Sequence, residues 1–277
     1  MSLVTPYSTG ESVQRITIND LQAAKQRGER WPMLTSYDAL TARIFDESGI
    51  PVLLVGDSAA MVVYGFDSTI PITVDHLLPL VQAVVRSTKR ALVVADLPFG
   101  TYQESPEQAL ATAITFIKDA HAHAVKLEGG AHVLPQVQAL VAAGIPVMGH
   151  LGLTPQSVNQ FGGYKVQGRG EAGDKLVEDA IALEKAGAFS IVLEVIPAEL
   201  AARVQSAVSI PLIGIGAGNA TDAQVLVWQD LVGLTVGRSP KFVQKYADVT
   251  GTISSAVRQW SNDVVSGAYP NDEHSYH

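Results

Sequence analysis

The chain has 277 residues, of which 47% are hydrophobic and 17% charged, with a formal charge of −8 and no cysteine. This composition suits a folded chain with a sizeable core and excludes a disordered one; the missing cysteine excludes disulfides, thiolate metal sites and a thiol nucleophile. The acidic balance, with no cluster of Lys or Arg, gives no footing for nucleic acid or an anionic membrane as a partner.

In chain order, residues 1–15 ("MSLVTPYSTGESVQR") are polar and lack the apolar core of a signal peptide. No apolar run approaches the roughly 18 residues of a membrane span, so the expected location is the cytoplasm. A helix is predicted near 17–28. Strands are then predicted near 32–36, 52–56, 91–95, 123–128, 146–149, 189–194, 211–215 and 231–236. The helices between and after them fall near 38–48, 73–88, 105–119, 131–143, 171–187, 197–207, 219–227 and 240–260. The helical stretches, such as "SPEQALATAITFIKDA", repeat apolar residues at three-to-four spacing. The strands are short, continuously apolar runs, as in a parallel sheet covered by helices. Several open directly after a helix stop, as in "DESGIPVLLVG", "VAAGIPVMGH" and "SAVSIPLIGIG". Eight such units predict an α/β fold of the (β/α)8 TIM-barrel type. A doubly wound open sheet is the alternative. No linker marks a second domain, so 1–277 is expected to form one barrel domain, with irregular tails at 1–15 and 266–277.

The strand ends concentrate ionisable residues. The second to sixth predicted strands close at Asp57, Asp96, Glu128, His150 and Glu194. In such a barrel the C-terminal strand ends form the active-site face. Neighbouring strands lie only ~4.8 Å apart, so side chains at matching heights converge. The alternative for each carboxylate is a helix cap or a surface ion pair, with Asp57-Ser58 as a plain cap and His150 as a core or rim histidine. Clustered carboxylates repel one another, and a divalent cation offsets that repulsion. An all-oxygen donor set favours Mg2+, with Asp57 and Asp96 as direct ligands and Glu128 acting directly or through water. Lys126, two residues before Glu128, shares its strand face. Acidic neighbours keep it a cation, suited to a substrate carboxylate or to simple charge balance. Glu194, farther around the barrel, is placed to act as a general base or to make an ion pair. The glycines of "IGIGAGN" (213–219) allow either a phosphate cradle or close strand-to-helix packing.

Together "VGDSAAMVVYGFDST", "VVADLPFGTYQ", "AVKLEGG", "IPVMGHLGLTPQSVNQFGGYKVQGR", "AGAFSIVLEVIPAEL" and "IPLIGIGAG" resemble the ketopantoate hydroxymethyltransferase family, from about residue 14 to the C-terminus. The resemblance implies a (β/α)8 barrel of the phosphoenolpyruvate mutase/isocitrate lyase superfamily, commonly a decamer of two pentameric rings. It implies Mg2+ on Asp57, Asp96 and Glu128, and 2-oxo acid contacts from Asp57, Ser58, Asp96 and Lys126, with His150 lining the same pocket. Glu194 is then the proton acceptor, and 5,10-methylenetetrahydrofolate the co-substrate, in pantothenate synthesis. Three places depart from the family pattern: Ala59-Ala60, Asn219 to Gln224, and Gln229. The last two are expected on the side of the folate or of neighbouring chain segments. The apolar "AAMVVYG" after Ser58 is expected to wall the branched end of the oxo acid.

Overall fold

Eight short apolar runs close into an all-parallel barrel in chain order, each strand paired with its sequence neighbours and the last with the first. They are β1 (Trp31–Thr35), β2 (Val52–Val55), β3 (Leu92–Asp96), β4 (Ala124–Lys126), β5 (Val147–Gly152), β6 (Ser190–Glu194), β7 (Leu212–Ile215) and β8 (Ala223–Leu226). The computed structural model describes residues 2–7, 13–235 and 239–277. The chain divides into two compact units, 1–227 and 228–277.

In the first unit, α1 (Ile18–Gln26) precedes the barrel, held by a capping box between Thr17 and Asp20. The outer layer comprises α2 (Ala39–Glu47), α3 (Ala59–Val62), α4 (Val74–Ser87), α5 (Pro106–Lys118), α6 (Leu134–Ala142), α7 (Val158–Phe161), α8 (Glu171–Lys185) and α9 (Ala198–Ala207). Asp38, Thr73 and Ser105 cap α2, α4 and α5 through their side chains.

The strand alternation builds the barrel interior. Trp31, Met33, Val52, Leu54, Leu92, Val94, Ala124, Met148, Val192, Ile213, Ala223 and Val225 form one buried cluster, joined by Leu3, Ile16, Leu21 and Ala24. One step of period two beyond Val94, Ala124, Met148 and Val192 come Asp96, Lys126, His150 and Glu194. The inner face thus turns from apolar to ionisable toward the C-terminal ends of four adjacent strands.

The eighth strand differs from the sequence expectation. Residues 219–227 are not a helix, and the eighth strand is not 231–236. After β7 the chain runs through 216–222 without a helix, and Asp222 seats the next strand at the barrel foot. Its carbonyl accepts the Trp31 N–H (3.3 Å). Its carboxylate accepts the Leu212 N–H (2.8 Å) and the Gln205 amide (2.7 Å) and pairs with Lys25 (2.9 Å). Residues 232–235 are turn and coil, and residue 236 lies outside the described residues.

The second unit contains α10 (Trp228–Leu231) and α11 (Val249–Ser266). The Tyr246 and Val249 N–H groups donate to the Leu231 and Val232 carbonyls (2.8 and 3.0 Å). The last helix starts nine residues later than 240 because Asp248 caps it, accepting the Gly251 N–H at 2.9 Å. Residues 240–247, after the break at Pro240, are turn and coil.

One histidine ties two strand feet together. The His123 N–H donates to the Val93 carbonyl (2.9 Å), and its Nδ1 accepts the Val93 N–H (2.9 Å). Burial, with Arg15 nearby, lowers its pKa from 6.5 to about 4. The folded state therefore favours the neutral ring. The stability this histidine contributes is complete above pH 6.5 and is lost as pH falls toward 4, where the unfolded chain takes up a proton first. At pH 4.5 the loss is on the order of 2–3 kcal/mol. In His123→Asn, the drop in urea unfolding free energy between pH 7.5 and 4.5 should be smaller than in the parent by about that amount; an identical drop would refute it.

Candidate active site

The mouth of the barrel holds four carboxylates, one ammonium and one imidazole within hydrogen-bonding or ion-pair reach of one another. Asp96 and Lys126 are partners in the β3–β4 register, and Lys126 Nζ lies 2.9 Å from Asp96 Oδ1. Glu128 follows two residues on, 3.7 Å from the same ammonium. His150 sits between two acids, with Nδ1 3.2 Å from Glu128 Oε1 and Nε2 3.2 Å from Glu194 Oε2; Lys126 Nζ is 3.3 Å from Nδ1. Asp57 lies just past the end of β2, where its backbone N–H donates to Asp96 Oδ2 at 3.1 Å. Ser58 shares a 2.7 Å hydrogen bond with the Tyr37 hydroxyl. All the residues called from the sequence therefore line one pocket of about 110 Å3.

None of these acids caps a following helix. The Asp57 side chain accepts from the Gln156 amide, and Ser58 makes no capping bond to α3. Ser105 caps α5, and no side chain caps α6 or α9. Gly152 brings Glu194 into place. It has φ +96°, and a Cβ there would lie 2.2 Å from the Glu194 carbonyl. Without one, β5 closes on β6 and the Leu153 N–H reaches that carbonyl at 2.8 Å.

Charge dominates the site. Four carboxylates face one ammonium and one imidazole, so the cluster is negative in excess even with the imidazole protonated. Burial first, then the neighbouring Asp96 and Glu128, pushes the Asp57 carboxyl well above the usual range. Burial also raises Asp96, against the pull of Lys126. Burial works the same way on Glu128, but Lys126 and His150 outweigh it and hold that carboxyl low. Burial opposes the charged form of Lys126, and the three acids beside it more than reverse the effect. Burial and Lys126 oppose protonation of His150, yet contacts with Glu128 and Glu194 raise it to about 9.

Asp96 Oδ1 and Glu128 Oε1 are buried and make no well-aligned hydrogen bond. Excess negative charge, buried carboxylate oxygens without hydrogen bonds and an all-oxygen donor set fit a hard divalent cation. Among the described residues, no three acidic or histidine side chains already stand grouped around a metal position; the Lys126 ammonium stands between Asp96 and Glu128.

The rest of the pocket lining is mostly apolar, from Leu54, Pro155, Val192, Ile215, Val225 and Val227. This corrects the expectation for the stretch after Ser58. Ala59 and Ala60 are fully buried in α3, while Met61, Val63 and Tyr64 are exposed and do not line the pocket. Tyr64 instead packs against Phe66 and His76. Residues 222–224 lie at the foot of β8, beside Trp31 and Pro32 at the start of β1, and so opposite the mouth. The departure there faces away from the site. Gln229 lies in α10. In "IGIGAGN", a Cβ on Gly214 would meet Thr221 and Gln224 at 2.7 and 2.9 Å, which supports close packing as the reason for that glycine.

Two polar residues escaped the sequence reading. Gln156 and Tyr102 are both buried among the acids. Gln156 stood inside the "GLTPQS" segment, but only its polarity just past a strand end set it apart.

The ketopantoate hydroxymethyltransferase family profile matches residues 15–272. A 3-methyl-2-oxobutanoate hydroxymethyltransferase of Frankia alni is 63% identical over 262 residues, covering 95% of this chain and 86% of the relative. One from Thermobifida fusca is 62% identical, covering 96% and 95%. Among solved structures, phosphonopyruvate hydrolase in complex with oxalate and Mg2+ superposes with a TM-score of 0.60 at 14% identity, covering 94% and 93% of the two chains. A 2,3-dimethylmalate lyase of the phosphoenolpyruvate mutase/isocitrate lyase superfamily superposes at 0.57 and 17%, covering 94% and 91%. These two share the fold; the sequence relatives and the profile establish that the chain belongs to the ketopantoate hydroxymethyltransferase family.

Proposed function

We propose that this chain transfers a hydroxymethyl group from 5,10-methylenetetrahydrofolate to 3-methyl-2-oxobutanoate, forming 2-dehydropantoate and tetrahydrofolate in pantothenate synthesis. The observation that carries the reading is one small pocket lined both by the ionisable groups of β2 to β6 and by apolar side chains, Ile215, Val225 and Val227 among them. A small 2-oxo acid with a branched tail has that same polarity.

Asp57 and Asp96 would hold Mg2+, with Glu128 contributing directly or through water. When bound, the cation offsets the cluster's excess negative charge and acts as a Lewis acid toward the keto oxygen. The Mg2+ named with the phosphonopyruvate hydrolase of the same fold supports this choice.

Lys126, held charged by its acidic neighbours, binds the substrate carboxylate, and Ser58 and Asp96 contact the same acid. Val192, Ile215, Val225 and Val227 receive the branched tail and keep water from C3. Glu194 accepts the C3 proton. Its side chain is 17% exposed, against 1% for Asp96 and 2% for Glu128, so it is the more open to substrate. His150 has a carboxylate oxygen 3.2 Å from each ring nitrogen. Held as a cation between the two acids, it steadies Glu194 by charge rather than taking the proton itself. C3 then bonds to the one-carbon unit. The bonds from that carbon to the folate nitrogens break, and water supplies the hydroxyl oxygen.

The family resemblance further supports a decamer of two pentameric rings and a cytoplasmic location. Among the described residues, no helix is long and apolar enough to cross a membrane.

Deuterium exchange at C3 of 3-methyl-2-oxobutanoate tests the base. The parent with Mg2+ should exchange, and EDTA should stop it. Glu194→Gln should slow exchange at least ~100-fold while still binding the oxo acid. Normal exchange in that variant would place the base elsewhere. Lys126 has a separate structural test. Lys126→Met leaves Asp96 and Glu128 without their ammonium and should cost ~3–5 kcal/mol of unfolding free energy at pH 7; unchanged stability would show that the acids are balanced by other means.

A further inference from the structure

Gln156 ties the loop after β5 to the ends of β2, β3 and β4, and two of its contacts are the acids Asp57 and Glu128. It is 4% exposed. Its Nε2 donates one hydrogen to Asp57 Oδ2 (3.0 Å) and the other to the Leu97 carbonyl (3.0 Å). Its Oε1 accepts from the Tyr102 hydroxyl (2.7 Å) and from Gln103 Nε2 (3.3 Å). Its backbone N–H donates to Glu128 Oε2 at 3.0 Å. The Tyr102 oxygen in turn accepts the Glu128 N–H at 3.2 Å.

The amide can point only one way. Asp57 and Leu97 offer oxygens and need two donors, which an amide NH2 supplies. The Tyr102 hydroxyl takes a hydrogen from the Glu128 N–H and has two acceptors for its own, the Glu128 carbonyl at 3.1 Å and the nearer Oε1 at 2.7 Å. A glutamate here would set oxygen against oxygen at Asp57 and Leu97. Packing of the loop alone calls for none of this complementarity, since an apolar side chain of the same length would fill the space.

We propose that Gln156 is a positioning residue for cation binding. Its amide fixes the Asp57 carboxylate and its backbone fixes Glu128, so the loop after β5 and two of the acids are set as one unit, with Tyr102 holding the amide in its orientation. The proposal rests on the reading above, in which Asp57 and Glu128 serve the cation.

The test is Mn2+ affinity, measured by electron paramagnetic resonance titration of the protein with the metal alone. Substitutions of groups that orient metal ligands typically weaken affinity about 10–100-fold. Gln156→Met keeps the length and removes every side-chain hydrogen bond; it should weaken Mn2+ binding ~10-fold or more. Tyr102→Phe should weaken it less. The losses in the double variant should be less than additive, because the two side chains share one hydrogen bond. Parent-like affinity in a folded Gln156→Met, or losses that add in the double variant, would overturn the proposal. If Gln156→Met does not fold, unchanged affinity in folded Tyr102→Phe overturns it equally. A parent protein that binds no Mn2+ is a different failure: it removes the cation reading and this role with it.

Discussion

The structure turns on a charge imbalance placed at the end of an apolar core. The strand alternation that packs Val94, Ala124, Met148 and Val192 inside the barrel delivers Asp96, Lys126, His150 and Glu194 one step above them. Asp57 and Glu128 add two more acids from the strand ends. Removing such groups from water is costly unless they are paired. Lys126 and His150 pair only part of the negative charge, and burial together with the repulsion that remains raises the Asp57 and Asp96 carboxyls. The fold holds these acids together because the helices and the barrel wall close around them, and the excess charge is what a bound cation would use.

The other constraint is polarity across a small pocket. β2 to β6 supply the charges, while β7 and β8, with Leu54 and Val192, supply the apolar wall. A substrate is thereby oriented twice, by its acid end and by its branched end. The loop after β5 contributes to both sides, since Pro155 lines the pocket and Gln156 bonds to the acids. Gly152 makes that loop possible by letting β5 meet the backbone of Glu194. Chemistry on this scaffold therefore depends as much on the loop's seat as on the strands.

Most of the barrel and the ionised half of the site were legible because both follow from short-range rules. Period-two alternation puts Lys126 and Glu128 on one face, and five successive apolar runs end in a titratable residue. The seating of β8 was not legible. Ala223–Leu226 has only two inward residues and an exposed Gln224 between them, whereas the later run near 231–236 is more apolar. Asp222 decides the matter through contacts with residues 10 to 197 positions away. The apolar wall was misassigned for a related reason: Ala59 to Gly65 follow Asp57 in sequence but turn away from the pocket, and Val192, Ile215 and Val225 reach it from across the barrel. Gln156 belongs to the same class, since its partners lie 28 to 99 residues distant.

On this reading the acids at the barrel mouth receive one divalent cation beside Asp57 and Asp96. The most direct measurement is an anomalous difference map from crystals of the protein soaked with Mn2+ and 3-methyl-2-oxobutanoate. One peak contacted by Asp57 and Asp96 is expected, with the oxo acid between it and the apolar side chains of the pocket. A map with no peak at the barrel mouth, or with manganese bound only elsewhere, would contradict it.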